Sequence, residues 1–293
     1  MYTTIRQLVE QSRDKPIYQV VLEDEQALTQ ASEEEIWEGF RQRWQVMQAS
    51  AARALEQPQP MVGGLISGQA CRQQLYSQQG GLLGGAANRM MAMAFSSSEV
   101  NAGMGRICAA PTAGACGILP AVLLTVQRQL NADEDQALQA LVTATGFGAV
   151  ITKNATVSGA EGGCQAECGV AAAMAAAGAV QMAGGSAEMC ANACAIALIN
   201  CMGLVCDPVA GLVQLPCSFR NASQSMNALA SADMALAGQS SIIPADEVIE
   251  SMYRVGKKLP MELRETALGG IAASPTGRSI AQRLFSGCAS GSQ

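Results

Sequence analysis

The chain has 293 residues, of which 49% are apolar and only 14% charged, enough to build one large or two ordinary domains around a substantial core. A net charge of −6, with 18 lysines and arginines that form no run or stripe, argues against a nucleic-acid surface, and an aromatic content of 4% leaves no base-stacking platform. With no histidine, the chain lacks Ser-His-Asp and Cys-His nucleophile arrangements, His-ligated zinc and His-ligated haem.

Residues 1–60 differ in character from the rest, being rich in Gln and Glu and holding both tryptophans. Met1 to Lys15 carries Arg6, Glu10, Arg13 and Asp14 without a continuous apolar core, so no secretory leader is expected and a reducing, cytoplasmic compartment is. Ser32 followed by Glu35 predicts a capping box. Ile36, Phe40, Trp44, Met47, Ala51 and Leu55 then recur at helical spacing, and that helix is expected to end near Pro58 and Pro60. The section reads as a helical segment that packs on the core or on a partner chain.

Residues 61–293 form the second unit, dominated by glycine and alanine and ending in a short Gly/Ser tail. Gly117 to Leu130 predicts a helix with Pro120 in its first turn, and Asn131 or Asp133 can cap a following helix through Ala137, Leu138, Leu141 and Val142. Gly169 to Gly184 and Ala191 to Cys206 are poor in charge but too weakly apolar to span a bilayer, so buried, closely packed soluble helices are expected instead. No alternating Val, Ile and Thr run predicts a sheet, and a mostly α-helical, compact domain with Gly-rich loops is the expected fold class. The dinucleotide and phosphate-loop glycine patterns are missing, which leaves nucleotide chemistry unsupported.

Seven of the eleven cysteines lie between Cys164 and Cys217. An odd count, irregular spacing and a reducing compartment favour free thiols or metal ligands over disulfides. Cys190, Cys194 and Cys201 share one helix face and read as small buried hydrophobes, as do Cys71, Cys108 and Cys116. Cys164, Cys206 and Cys217 stand apart because their flanks suit a site: Gly162 and Gly163 permit close backbone approach, and Pro208 and Pro216 stiffen the loop between the second and third thiols. Three thiolates can hold a cubane iron-sulfur cluster and leave one iron open as a Lewis acid, although the spacing alone is not diagnostic.

Four stretches go beyond spacing: EVNAGMGRICAAPTAGACGILPA (Glu99 to Ala121), KNATVSGAEGGCQAECG (Lys153 to Gly169), GLVCDPVAGLVQLPCSFRNA (Gly203 to Ala222) and RETALGGIAASPTGR (Arg264 to Arg278). Together they cover 75 residues and resemble the iron-sulfur L-serine dehydratases, specifically the alpha chain of the two-chain form. The resemblance implies pyridoxal-phosphate-independent deamination of L-serine to pyruvate and ammonia in residues 61–293, and a 4Fe-4S cluster held by Cys164, Cys206 and Cys217. It also implies a beta chain that completes the enzyme and supplies histidine. With only four lysines, a Schiff-base cofactor has few places to attach.

Within this chain Lys153 is the base candidate nearest the motifs, while Thr112, Gly114, Asn154, Ser158 and Gly159 are candidate substrate contacts, with tight turns and helix caps as their alternative role. Cys168 lies one turn from Cys164, but the motif requires no thiol there. Cys288, in the C-terminal tail, is a candidate fourth ligand in the absence of substrate. Met61 to Tyr76 departs from the acidic segment that the resemblance leads one to expect, so its contact with substrate stays open. Two other readings are kept: a dehydratase for another small amino acid such as threonine, and a non-catalytic iron-sulfur protein.

Overall fold

A computed structural model describes residues 1–286, so Cys288 lies outside the described residues. Thirteen helices and no strand occur among those residues, joined by short 3₁₀ turns. Helices α1 (Ile5–Gln11), α2 (Ile17–Thr29) and α3 (Glu33–Arg53) form the N-terminal layer. Helix α3 opens on the expected capping box, with the Ser32 hydroxyl accepting from Glu35 N–H and the Glu35 carboxylate accepting from Ser32 N–H at 2.8 Å.

The same helix stops at Arg53, short of the two prolines expected to end it. Its last turn is opened by a neighbour. Ser96 Oγ donates to Ser50 O at 2.7 Å and accepts from Ala54 N–H at 2.8 Å, so a buried hydroxyl stands where the next intrahelical bond would form. Leu55, expected on the helix face, therefore falls just beyond it.

Helices α4 (Gln69–Ser77) and α5 (Gly84–Ala102) follow, then α6 (Ile118–Leu130) and α7 (Glu134–Asn154). Of the two residues able to cap α7, Asp133 does so, pairing with Gln136 in a second capping box, while Asn131 takes the left-handed conformation that closes α6. A short α8 (Gly159–Gly162) leads through Cys164 into a π-helical turn, Gln165–Gly169, which runs directly into α9 (Val170–Met182). Then come α10 (Ala187–Cys201), α11 (Cys217–Leu236), α12 (Ala245–Lys258) and α13 (Pro275–Ser286).

Helix α9 is the axis of the molecule. Nearly every residue from Val170 to Met182 is buried, and α6, α7, α10 and α11 surround it. Small side chains permit this: a Cβ on Gly178 would lie 2.9 Å from the Ala140 carbonyl of α7. Tyr2, Ile5, Leu8, Phe40, Trp44 and Met47 of the N-terminal layer join the same continuous core as Leu119, Leu138 and Phe147. Among the described residues no helix is long and apolar enough to cross a membrane.

Candidate active site

The fold brings the four resembling stretches together at the N-terminal ends of α9 and α11. Cys164 precedes the π-helical turn, an irregularity common at functional sites because it re-aims side chains within a helix. The loop from Leu204 to Pro216 leaves α10 and carries Cys206, whose N–H donates to Leu263 O at 2.9 Å and whose carbonyl accepts from Glu265 N–H at 2.8 Å. Cys217 opens α11. All three thiols are buried.

Cys164 Sγ, Cys206 Sγ and a Glu167 carboxyl oxygen lie within 4.8 Å of one another. Hydrogen bonds from the Cys168 and Cys206 thiols, together with the Arg220 charge, hold Cys164 well below the usual thiol range despite its burial. Cys206 is driven upward, first by its hydrogen bond to Cys164 and then by burial. Cys217, outside the tight group, is pushed up to about 12 by burial and by the charges of Cys164 and Glu167. One thiolate is thus stabilised, and further thiols await a cation that would let them ionise. Sulfur donors without imidazole suit a soft metal centre such as an iron-sulfur cluster.

Of the remaining expected residues, Thr112, Gly114 and Gly159 converge on Glu167. A Cβ on Gly114 would stand 3.4 Å from one Glu167 oxygen, and one on Gly159 2.6 Å from the other. Thr112 Oγ1 is buried without a well-formed hydrogen bond, yet it stabilises the Glu167 carboxylate. Ser158 N-caps α8 beside Gly159, its carbonyl accepting from Gly162 N–H at 2.9 Å. Asn154 is exposed, and its amide donates to Thr3 O and Val150 O, both at 2.8 Å. Lys153 is exposed in the last turn of α7.

Three polar residues of the site were not foreseen as such. Glu167 is raised to about 7, chiefly by burial and then by the Cys164 charge. Arg220 donates to Cys164 Sγ at 3.1 Å and pairs with Asp207 at 2.7 Å. Asp207 follows Cys206 directly and Glu167 and Arg220 each stand three residues after a candidate ligand, so a charged side chain inside an otherwise small and apolar motif is the signal that points to them.

The segment Met61 to Tyr76 also abuts the cysteine loop. Gln214 accepts from Leu65 N–H at 3.1 Å and donates to Val62 O at 2.7 Å. Fully buried Glu99 accepts from the backbone N–H groups of Gln59, Gly68 and Ala70 at 3.2, 3.1 and 2.8 Å, tying the middle of that segment and the residues before it to α5.

Cys116, Cys190 and Cys194 are packing groups, while Cys71 and Cys108 are only partly buried and the Cys201 thiol donates to Gln224 Oε1 at 2.7 Å. Burial pushes Cys116 and Cys190 up to about 12 and Cys194 further still, and all three are enclosed in the interior.

The profile of the family described as "Serine dehydratase alpha chain" matches residues 12–272. The "Probable L-serine dehydratase, alpha chain" of Bacillus subtilis (strain 168) is 45% identical over 98% of this chain and 96% of its own length. The "L-serine dehydratase, alpha chain" of Peptoniphilus asaccharolyticus is 48% identical over 96% of this chain and 97% of its own. The "L-serine dehydratase 1" of Escherichia coli (strain K12) is 41% identical over 82% of this chain, which spans 55% of that longer protein.

Proposed function

Because the chain belongs to the serine dehydratase alpha chain family, we propose that it is the cluster-bearing chain of an L-serine ammonia-lyase that forms pyruvate and ammonia. The observation that carries this reading is the convergence of Cys164, Cys206 and Glu167 within 4.8 Å, beside Cys217 and the Arg220 charge. Cys164, Cys206 and Cys217 would hold a 4Fe-4S cluster. When bound, the cluster supplies Lewis acidity toward the departing serine hydroxyl.

The chain's own part is to bind, orient and exclude water. The buried thiols and the small residues Gly114 and Gly159 leave a close-walled site in which charge that develops on a leaving oxygen is weakly screened. Thr112 and the backbone around Ser158 and Gly159 are the groups we assign to the amino-acid carboxylate, whereas the Asn154 amide is taken up by Thr3 O and Val150 O. Two ionisable groups of this chain stand for the proton transfer: Lys153, exposed at the end of α7, and Glu167, held against Cys206. Loss of the α-proton and of hydroxide gives aminoacrylate, whose imine tautomer hydrolyses in water.

The partner reading follows from length and name. Two relatives matched end to end are alpha chains by name, whereas the Escherichia coli relative is nearly twice as long as the part matched here. We assign that additional role to a separate beta chain, which also brings the histidine this chain lacks. Soluble action in the cytoplasm, without pyridoxal phosphate, completes the proposal.

Anaerobic reconstitution with iron and sulfide, with and without the beta chain, tests it. A cluster spectrum that changes on adding L-serine, together with pyruvate formed, is the expected result. Threonine run in parallel measures side-chain preference, since one methyl group changes binding by ~1–3 kcal/mol. A stable cluster indifferent to serine would instead mark a non-catalytic iron-sulfur protein.

A further inference from the structure

We propose that Arg220 is a positioning residue for the metal centre, one guanidinium that fastens the segments bearing all three candidate ligands into a single frame; the inference rests on the iron-sulfur reading above. Arg220 stands three residues after Cys217 on α11, so the helix itself sets its distance from the third thiol. Its Nη1 donates to Cys164 Sγ at 3.1 Å and to the carbonyl of Val205, the residue before Cys206, at 2.7 Å. Its Nη2 donates at 2.7 Å to Oδ1 of Asp207, the residue after Cys206.

Asp207 completes the frame. Its Oδ2 accepts from Ile271 N–H at 2.8 Å, and a Cβ on Gly270, where φ is +56°, would meet that same oxygen at 2.2 Å. The 3₁₀ turn at Gly270–Ala273 is therefore shaped around the Asp207 carboxylate. Three distant stretches of sequence and the helix that carries Cys217 are joined through one ion pair, whose side chains are only 14% and 4% exposed.

Two physical arguments give the pair a function beyond stability. A buried ion pair gains little over apolar packing, because both charges lose their hydration, so its presence here points to placement. Buried thiolates and the metal cluster they would hold also concentrate negative charge, and Arg220 is the cation that touches a sulfur. Lysine would bring the charge but not a planar fork that reaches the sulfur, the carbonyl and the carboxylate together.

The test uses the complete enzyme with its beta chain, prepared without oxygen as wild type, Arg220→Gln, Arg220→Lys and Asp207→Asn. Iron and sulfide per chain, the cluster's electron paramagnetic resonance spectrum and reduction potential, and the rate of its loss in air are measured beside kcat and KM. Arg220→Gln is expected to hold iron about 10- to 100-fold more weakly, as changes to groups that orient metal ligands do, with a shifted potential and faster loss in air. Arg220→Lys should recover part of this, and Asp207→Asn should move every readout in the direction of Arg220→Gln by less. A folded Arg220→Gln protein with wild-type iron, spectrum and potential overturns the proposal. Should that variant not fold, an unaltered cluster in both Arg220→Lys and Asp207→Asn overturns it equally. Wild-type enzyme that binds no iron would be the distinct failure of the iron-sulfur reading, and this inference would fall with it.

Discussion

Gly159 and Glu167 are in close contact: a Cβ added to Gly159 would lie 2.6 Å from Glu167 Oε2 and 3.1 Å from Cys206 Sγ. No side chain fits there without displacing either the carboxylate or a candidate ligand. The first turn of α8 therefore packs against Glu167 and Cys206 through its backbone alone.

Gly159→Ala is expected to strain this contact. Overpacking a tight interior costs about 1–3 kcal/mol, and displacing a group beside a metal ligand weakens metal binding about 10-fold or more. Thermal melting and iron per chain measure the two effects separately. An alanine variant with wild-type iron content would show that the close approach is incidental.

Glu167 contributes a distinct part of the pH response of the metal-free chain. Its folded pKa of about 7 lies above the ordinary carboxyl value of 4.5, so the folded state binds the proton more tightly than the unfolded state does. The associated stability is fully present below about pH 4.5 and is lost as pH rises toward 7, by at most about 3 kcal/mol at ~1.36 kcal/mol per pH unit. The lowered Cys164 thiol contributes with the opposite sign, so denaturant unfolding of the metal-free wild type and Glu167→Gln at pH 5 and pH 7.5 checks the sign by difference. In Glu167→Gln this part of the slope should vanish, whereas Lys153→Ala, at an exposed position, should retain it.

The thiols should separate into two classes. Serine at Cys164, Cys206 or Cys217 is expected to abolish stable cluster binding, since each removes a soft donor at the site. Alanine at Cys194, fully buried on α10, should keep full iron and lose about 1 kcal/mol of stability, as small core truncations do. Cys168→Ala is the sharper comparison, because Cys168 hydrogen-bonds Cys164 without being an expected ligand. It should keep the cluster. Iron analysis of the five single variants decides the assignment.

What could be read from the chain follows the range of the interaction. Caps are local, so Ser32 with Glu35 gave away the start of α3, and the charge-poor alanine stretch gave away a helix buried on every side, α9. The end of α3 was not legible, because Ser96, more than forty residues away, opens its last turn. The same limit applies at the site. The three candidate cysteines were recognisable from their flanking motifs, but Arg220 became a neighbour of Cys164 only through the docking of α11 on α9. Glu167 was visible inside its motif, yet only burial beside Cys164 makes it unusual.

Asn221 gives the last prediction, since it joins the stretch around Thr112 to the helix of Cys217. Fully buried, it accepts from Gly117 N–H at 2.9 Å and donates to Gly114 O at 2.7 Å and Cys217 O at 2.8 Å. Asn221→Ala leaves a buried backbone N–H and the Gly114 carbonyl without these partners, at a cost of about 1–3 kcal/mol for each group left unsatisfied. The larger consequence should be functional. With the Gly114 turn released from α11, Thr112 loses its fixed place beside Glu167, and KM for serine is expected to rise more than kcat falls, because the side chains of the candidate ligands are untouched. Steady-state kinetics at matched iron content measures this split, and a fall in kcat alone would place the 112–117 turn outside substrate binding.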